Sequence, residues 1–237
     1  MPTSTLPEGF EFEADFSDQI DIFDPTKVSE TVTIIGCGGI GASALPTLVT
    51  MGFTKFILFD KDLIEPRNIT TNPIFRPQDL LRPKVERVRE YLLEHGAKSV
   101  EIHQEFFTGQ APLKGLVVSG VDSMKARQEI WEHLVMNEDV PLYLDGRIGG
   151  QFMTLLSFEP YNPTHIDWYE EHQLRDDKDA APLPCTARTV AYPAVALGAH
   201  MAAYLAAWSR GEKVPVQTDQ MFGAVPFFQT IVLEDKN

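Results

Sequence analysis

One stretch, "VTIIGCGGIGASALPTLVTMGFTKFILFD" (residues 32–60), constrains the fold more than any other. Val32–Ile35 is a short, largely β-branched run that reads as a buried strand. Gly36, Gly38 and Gly41 follow in the spacing G-x-G-x-x-G, with Gly39 in the same loop. The first glycine permits a tight turn, the second lets the backbone approach a phosphate, and the third permits close packing of helix on strand. Ala42–Met51 has helical spacing, with Pro46 expected in the first turn or at a kink. Lys55–Phe59 is a second strand, and Asp60 ends it where an acid accepts both hydroxyls of a ribose. The pattern predicts the βαβ opening of an α/β fold with a Rossmann-like, doubly wound, mainly parallel sheet. The helix N-terminus then offers free N–H groups to an anion. The bland alternative is a glycine turn that only packs a helix on a sheet.

Further along, "RPKVERVREYLLEHG" predicts a helix over Arg82–Gly96, with Val85, Val88, Leu92 and Leu93 on its apolar side. Ser99–His103 and Gly115–Ser119 read as strands, Ser123–Met136 as a helix, and Pro141–Asp145 and Gln151–Phe158 as two more strands. "GRIGG" between the last two reads as a tight turn or crossover. Pro193–Trp208 is an apolar helix, and Gly223–Leu233 supplies a final strand or two, a C-terminal antiparallel extension of the sheet. Residues 1–30 read as an irregular arm, and 31–237 as one domain. Within it the polar, Asp-rich and Pro-rich Tyr161–Pro184 is long for a connection and suits a functional crossover loop, spanning about residues 161–190.

The net charge of -14 argues against a nucleic-acid face, which needs clustered Lys and Arg. The two cysteines, Cys37 and Cys185, lie in different motifs, so a disulfide framework is not indicated and a reducing cytoplasm is expected. There is no C-x-x-C, which excludes a four-thiolate zinc site. The N-terminus is acidic and unlike a signal peptide, and no apolar run is long enough for a membrane span.

A glycine turn and one acid do not separate NAD from ATP. A second acid arrives in "FDKDLIEPRN", which holds Asp60, Asp62, Glu65 and Asn68. After it come Lys84 at a helix start, "VDSMKAR" with Asp122 and Arg127, "DGRIGG" with Arg147, and "LPCTARTVAYPAV" with Cys185 and Arg188. In this order, from about Phe16 to Trp208, the chain resembles the ThiF/MoeB superfamily, to which the ubiquitin-activating enzymes belong, and within it the small bacterial or phage-type members. The resemblance implies an adenylyltransferase that uses ATP and Mg2+ to activate the C-terminal carboxylate of a ubiquitin-like or sulfur-carrier-like protein or peptide. Some members then capture the acyl group on a cysteine, and the family pairs its adenylation domains, so a homodimer is expected. By that resemblance Gly36, Gly38, Gly39 and Gly41 cradle the nucleotide with Asp60, Asp62 and Asn68. Lys84 contacts the phosphates, and Asp122 holds Mg2+. Taken singly, Lys84 reads equally as a solvated helix residue and Asp122 as a helix N-cap. Arg127 either acts at the site or braces Asp122, and Arg147 either contacts the incoming tail or fixes the turn. "PLPCTAR" resembles the family's catalytic-cysteine motif, with Arg188 favouring the thiolate of Cys185. Cys37 reads as structural.

The sequence departs from the family pattern in two places. "NITTN" puts Thr71 where an arginine is usual, and "DFSDQ" puts Asp15 and Asp18 at arginine positions of the arm. Loss of these cations beside a triphosphate weakens binding unless Arg67, Arg76 or Arg82 compensates. It leaves open a catalytically weakened scaffold that binds a ubiquitin-like partner. Activation of a small-molecule carboxylate and NAD-linked oxidoreduction remain the other readings.

Overall fold

The computed structural model describes residues 14–109, 111–174 and 190–233. Eight strands form one sheet: β1 (Val32–Ile35), β2 (Lys55–Phe59), β3 (Ser99–His103), β4 (Leu116–Ser119), β5 (Leu142–Gly149), β6 (Phe152–Phe158), β7 (Gln217–Met221) and β8 (Phe227–Ile231), in the order β3-β2-β1-β4-β5-β6-β7-β8. The pairs from β3 to β5 are parallel, and β5/β6, β6/β7 and β7/β8 are antiparallel. This is the expected doubly wound sheet with its antiparallel extension. The strand order reverses between β1 and β4, and a crevice opens there beyond the carboxyl ends of parallel strands.

The described residues form six α-helices: α1 (Gly41–Met51), α2 (Pro66–Ile69), α3 (Lys84–Glu94), α4 (Met124–Leu134), α5 (Pro163–His172) and α6 (Ala191–Ser209). β1 and β4 are buried along their whole length because both faces are covered. Val32, Ile34 and Val118 pack with α1, α3 and α6, whereas Ile35 and Val117 pack with Ile130, Trp131 and Leu134 of α4 and Tyr169 of α5. Phe23, ahead of β1, is buried against Phe53 and belongs to the first of these cores. α3 buries Val85, Val88 and Leu92, but Leu93 is 44% exposed. α1 ends on Gly52 in the left-handed conformation, which frees its N–H for the last carbonyls of the helix.

Several local expectations are corrected. Pro46 lies inside α1, which corrects the first of its two expected placements, in the first turn. "GRIGG" is not a turn: β5 runs through Gly146, Arg147 and Ile148 to Gly149, and the hairpin bends at Gly150, which has positive φ. Part of the long polar segment is α5, opened by Asn162, whose side chain accepts from Thr164 N–H, and by Pro163 at its first position. Its one buried residue, Tyr169, anchors it to the second core. Asp122 is not a cap. Ser123 is, accepting from Ala126 N–H at 3.2 Å.

α1 and α6 touch backbone to backbone. A Cβ on Gly198 would lie 2.3 Å from the carbonyl oxygen of Ser43. Replacing a glycine by alanine inside a helix normally gains about 1 kcal/mol. Here overpacking dominates, and Gly198→Ala is expected to lower unfolding free energy by about 1–3 kcal/mol in urea titration. Unchanged or raised stability would show that the two helices do not meet this closely.

Candidate functional site

The crevice at the β1/β4 switch is a cleft of about 1060 Å³. That is ample for a mononucleotide with part of a second reactant, since drug-sized ligands occupy roughly 300–1,000 Å³. The glycine turn forms one wall, and its glycines have separate duties. Gly36 has φ +92. Gly41 sits so tightly that a Cβ would lie 1.9 Å from the Gly36 oxygen. Gly38 lines the cleft and has nothing within 4 Å of a Cβ position, so its backbone is the bare surface that a ligand can approach. Gly39 also lines the cleft, against Thr71. Two residues that pin this turn were not singled out from the sequence. Asn72 is buried and donates to the Gly38 oxygen at 3.1 Å while accepting from Ile74 N–H. At Gly120 a Cβ would lie 2.6 Å from Gly41 N. Asn before Pro, and Gly after a buried strand, were the available signals.

At the end of β2, Asp60 accepts from Cys37 N–H (2.8 Å) with one oxygen and from Asp62 N–H (2.8 Å) with the other. Each oxygen keeps a lone pair for a further donor. Burial pushes the Asp60 carboxyl above its ordinary value, opposed by nearby Lys84. Lys84 is not a solvated helix residue: it is 6% exposed, with its Nζ 2.9 Å from Asp62 and 3.7 Å from Asp60. The two carboxylates offset the cost of burying its ammonium. Asn68 is the third residue of α2, and its Oδ1 accepts from Glu65 N–H at 2.9 Å, a capping box. Burial also pushes the Cys37 thiol well up, leaving an inert core side chain.

The opposite wall carries Asp122, exposed just after β4, so Lys84 and Asp122 line one cleft. The three arginines proposed as compensation separate here. Arg67 lines the cleft and pairs with Glu65 at 2.6 Å, whereas Arg82 is turned to Glu90 and Asp79, and neither it nor Arg76 lines the cleft. The hydroxyls of Thr70 and Thr71 both donate to the Arg67 carbonyl, at 3.1 and 3.2 Å. Apolar side chains at one end of the cleft, Phe59, Phe107 and Ile130, are joined by the exposed Phe106, under the ammonium of Lys61. Cys185 and Arg188 lie outside the described residues.

Beneath the cleft is a charge network that the motifs did not announce. Asp145, fully buried in β5, accepts from Arg127 Nε (3.0 Å), Arg147 Nε (2.9 Å), Arg147 Nη2 (2.7 Å) and the Tyr169 hydroxyl (3.2 Å). Arg127 therefore braces Asp145, and its Nη2 donates to the Val121 carbonyl beside Asp122 at 2.6 Å. Arg147 extends its Nη1 to the backbone oxygen and side-chain oxygen of Gln173, after α5. Burial pushes the Asp145 carboxyl up, but the two guanidiniums outweigh it and hold the group below its ordinary value. The hint was an acid inside an otherwise apolar strand, which needs a partner.

The fold and cleft define a class: a doubly wound α/β domain with a nucleotide-sized crevice at its switch point. The ThiF family model matches residues 26–221, and the chain belongs to that family. Among relatives, it is 35% identical over 107 residues to the Nedd8-activating enzyme E1 catalytic subunit of Drosophila melanogaster, covering 42% of this chain and 23% of that protein. It is 27% identical over 136 residues to the ubiquitin-like modifier-activating enzyme 5 of Caenorhabditis briggsae, covering 50% of this chain and 31% of that protein. The match thus spans under a third of these relatives' own length. Among solved structures, E. coli MccB with ATP superposes with TM-score 0.70 at 18% identity over 92% of this chain and 68% of MccB, a likeness of fold.

Because the Asp145 carboxylate has a lower pKa folded than unfolded, it stabilises the fold above its unfolded pKa of about 3.9, and that contribution disappears as pH falls through the folded value. Asp145→Asn leaves two guanidiniums against a neutral amide and is expected to cost about 3–5 kcal/mol at pH 7. Its stability should also fall less steeply than the wild type's below about pH 4. Parallel acid branches of the two denaturation curves would contradict the pairing.

Proposed function

We propose that this chain adenylates a carboxylate at the C-terminus of a peptide or small ubiquitin-like protein, at the expense of ATP. The observation that carries the reading is the convergence of the bare Gly38 backbone, Lys84, Asn68 and Asp122 on one cleft. Membership of the ThiF family supports it, as do the names of the E1 relatives and the existence of MccB structures with ATP and with MccA.

In this reading Asp60 accepts the ribose hydroxyls with its spare lone pairs. The α1 N-terminus and Gly38 face the phosphates, and Lys84, with Arg67, offsets their charge. A carboxylate oxygen of the substrate attacks the α-phosphorus, the bond from that phosphorus to the bridging oxygen of the β-phosphate breaks, and pyrophosphate leaves with the electron pair. The acyl-adenylate remains. The chain's contribution is alignment of two anions and neutralisation of charge spreading over the phosphoryl oxygens. Asp122 would hold Mg2+, which is commonly bound by one or two carboxylates together with substrate phosphate, and an exposed acid lining the cleft fits that demand. Bound there, the ion supplies Lewis-acid stabilisation of the phosphates. Cys185 would then take the acyl group as a thioester, its thiolate attacking the acyl carbon and releasing AMP, with Arg188 favouring the thiolate. A homodimer in the cytoplasm completes the proposal. The exposed Tyr192 and Val195 of α6 and Phe227 and Phe228 of β8 offer apolar surface for pairing. Among the described residues no helix is long and apolar enough to cross a membrane.

A second reading, a weakened scaffold for a ubiquitin-like partner, is favoured by Thr71 and by the acids at 15 and 18. Pyrophosphate exchange into ATP, run with peptides ending in glycine, separates the two. Exchange is expected in the wild type and should fall at least about a hundredfold in Asp122→Ala. Exchange indifferent to Asp122 would remove that residue from the mechanism. Tail binding with no exchange at all would establish the scaffold.

A further inference from the structure

Arg127 carries more donors than its surroundings use. Its side chain is 7% exposed, yet it lines the cleft. Nε is spent on Asp145, and Nη2 on the carbonyls of Val121 and Gly146. Nη1 has no partner among the described residues, although no fully buried side-chain nitrogen or oxygen lacks one. Nη1 is therefore not fully buried, and Arg127 is one of the residues that line the cleft. The charge points the same way. Asp145 compensates only one of two guanidiniums, so Arg127, Asp145 and Arg147 together carry one excess positive charge at the cleft floor. A largely buried guanidinium with spare donors is costly unless an anion completes it. Its position also discriminates between anions. The glycine turn and Lys84 lie toward β1 and β2, whereas Arg127 and Arg147 lie beyond β4, beside Ile148 and the α6 residue Ala194.

We propose that Arg127 Nη1, backed by the Asp145–Arg147 pair, is the subsite that seats the substrate's carboxylate before attack, separate from the phosphate cradle. The inference rests on the adenylation reading for its purpose, but not for its test. Asp145 and the Val121 carbonyl fix the plane of the Arg127 guanidinium, and Arg147, held on the same carboxylate, reaches Gln173 after α5. The subsite thus offers the N–H groups of one fixed nitrogen to an anion, a charge-assisted hydrogen bond that a carboxylate oxygen can accept.

The test uses the full 15N-labelled chain and follows arginine side-chain resonances, assigned by Arg127→Lys. Triglycine is titrated against triglycine amide, inorganic phosphate and pyrophosphate. Triglycine should shift the Arg127 Nη1 signals with a dissociation constant on the order of 1 mM, and the amide should not. In Arg127→Lys, which keeps the charge but loses the planar group that holds Nη1 in place, triglycine affinity should fall about tenfold while ATP affinity changes less than about twofold. The unfolding midpoint monitors folding, and the wild-type titration stands by itself if the variant does not fold. Pyrophosphate shifting these signals while triglycine does not would reassign the subsite to the leaving group and overturn the proposal, as would triglycine affinity unaltered in Arg127→Lys. Triglycine binding as expected in a chain with no pyrophosphate exchange would uphold the subsite and refute adenylation. Normal exchange with no response at Arg127 would do the reverse.

Discussion

The Gly36 carbonyl lies against the Gly41 α-carbon with no room for a side chain between them. The cleft follows from this contact. It brings the first turn of α1 down onto the end of β1, so that the helix N-terminus faces the crevice instead of standing off behind a longer loop. Gly120, pressed on Gly41 N from the end of β4, closes the same junction from the other side of the switch point. Asn72 holds the carbonyl of Gly38. Two segments distant in sequence thus meet on backbone atoms, where even one methyl group would force them apart, and a third joins them through the Asn72 side chain.

The floor of the cleft is held by charge rather than by shape. Asp145 is an acid in a strand whose buried neighbours are apolar, and desolvation disfavours its ionised form. Arg127 from α4 and Arg147 from β5 reverse that balance, and Tyr169 brings α5 into the same group. One buried carboxylate therefore orients two cations toward the cleft and ties the segment after β6 to the sheet. The arrangement differs from that at Lys84, where two carboxylates surround one ammonium. The cleft thus holds two differently built charge groups, an ammonium between two carboxylates and a carboxylate between two guanidiniums.

The central strands were legible because burial on both faces demands short apolar runs, whereas β7, the polar Gln217–Met221, lies ahead of the expected Gly223–Leu233. β1, β2 and β3 fall on the bounds that composition suggested, and the glycine spacing located the turn between the first two. The failures have physical causes. "GRIGG" looked like a turn because glycine breaks strands on average, yet β5 continues through Gly146, which packs a bare α-carbon under Met201, Ile40 and Leu197. α5 was obscured by an Asp- and Pro-rich composition, and it docks through buried Tyr169, partly buried Ile166 and Trp168, and Glu170, which accepts from the Trp131 indole. Of the two roles read for Arg127, the bracing of Asp122 gives way to a bond with Asp145, 18 residues on.

By itself, the sequence determined the class of fold and the residue types available at the crevice, because strand burial, helix spacing and glycine geometry are local properties written in local patterns. Tertiary structure decided which charges meet: that Lys84 is enclosed by Asp60 and Asp62, that Arg67 rather than Arg76 or Arg82 lines the cleft, and that Asp145 holds two arginines. Ion pairing depends on distance and desolvation, and both are fixed only when strands β2, β4 and β5 and helices α3 and α4 are assembled.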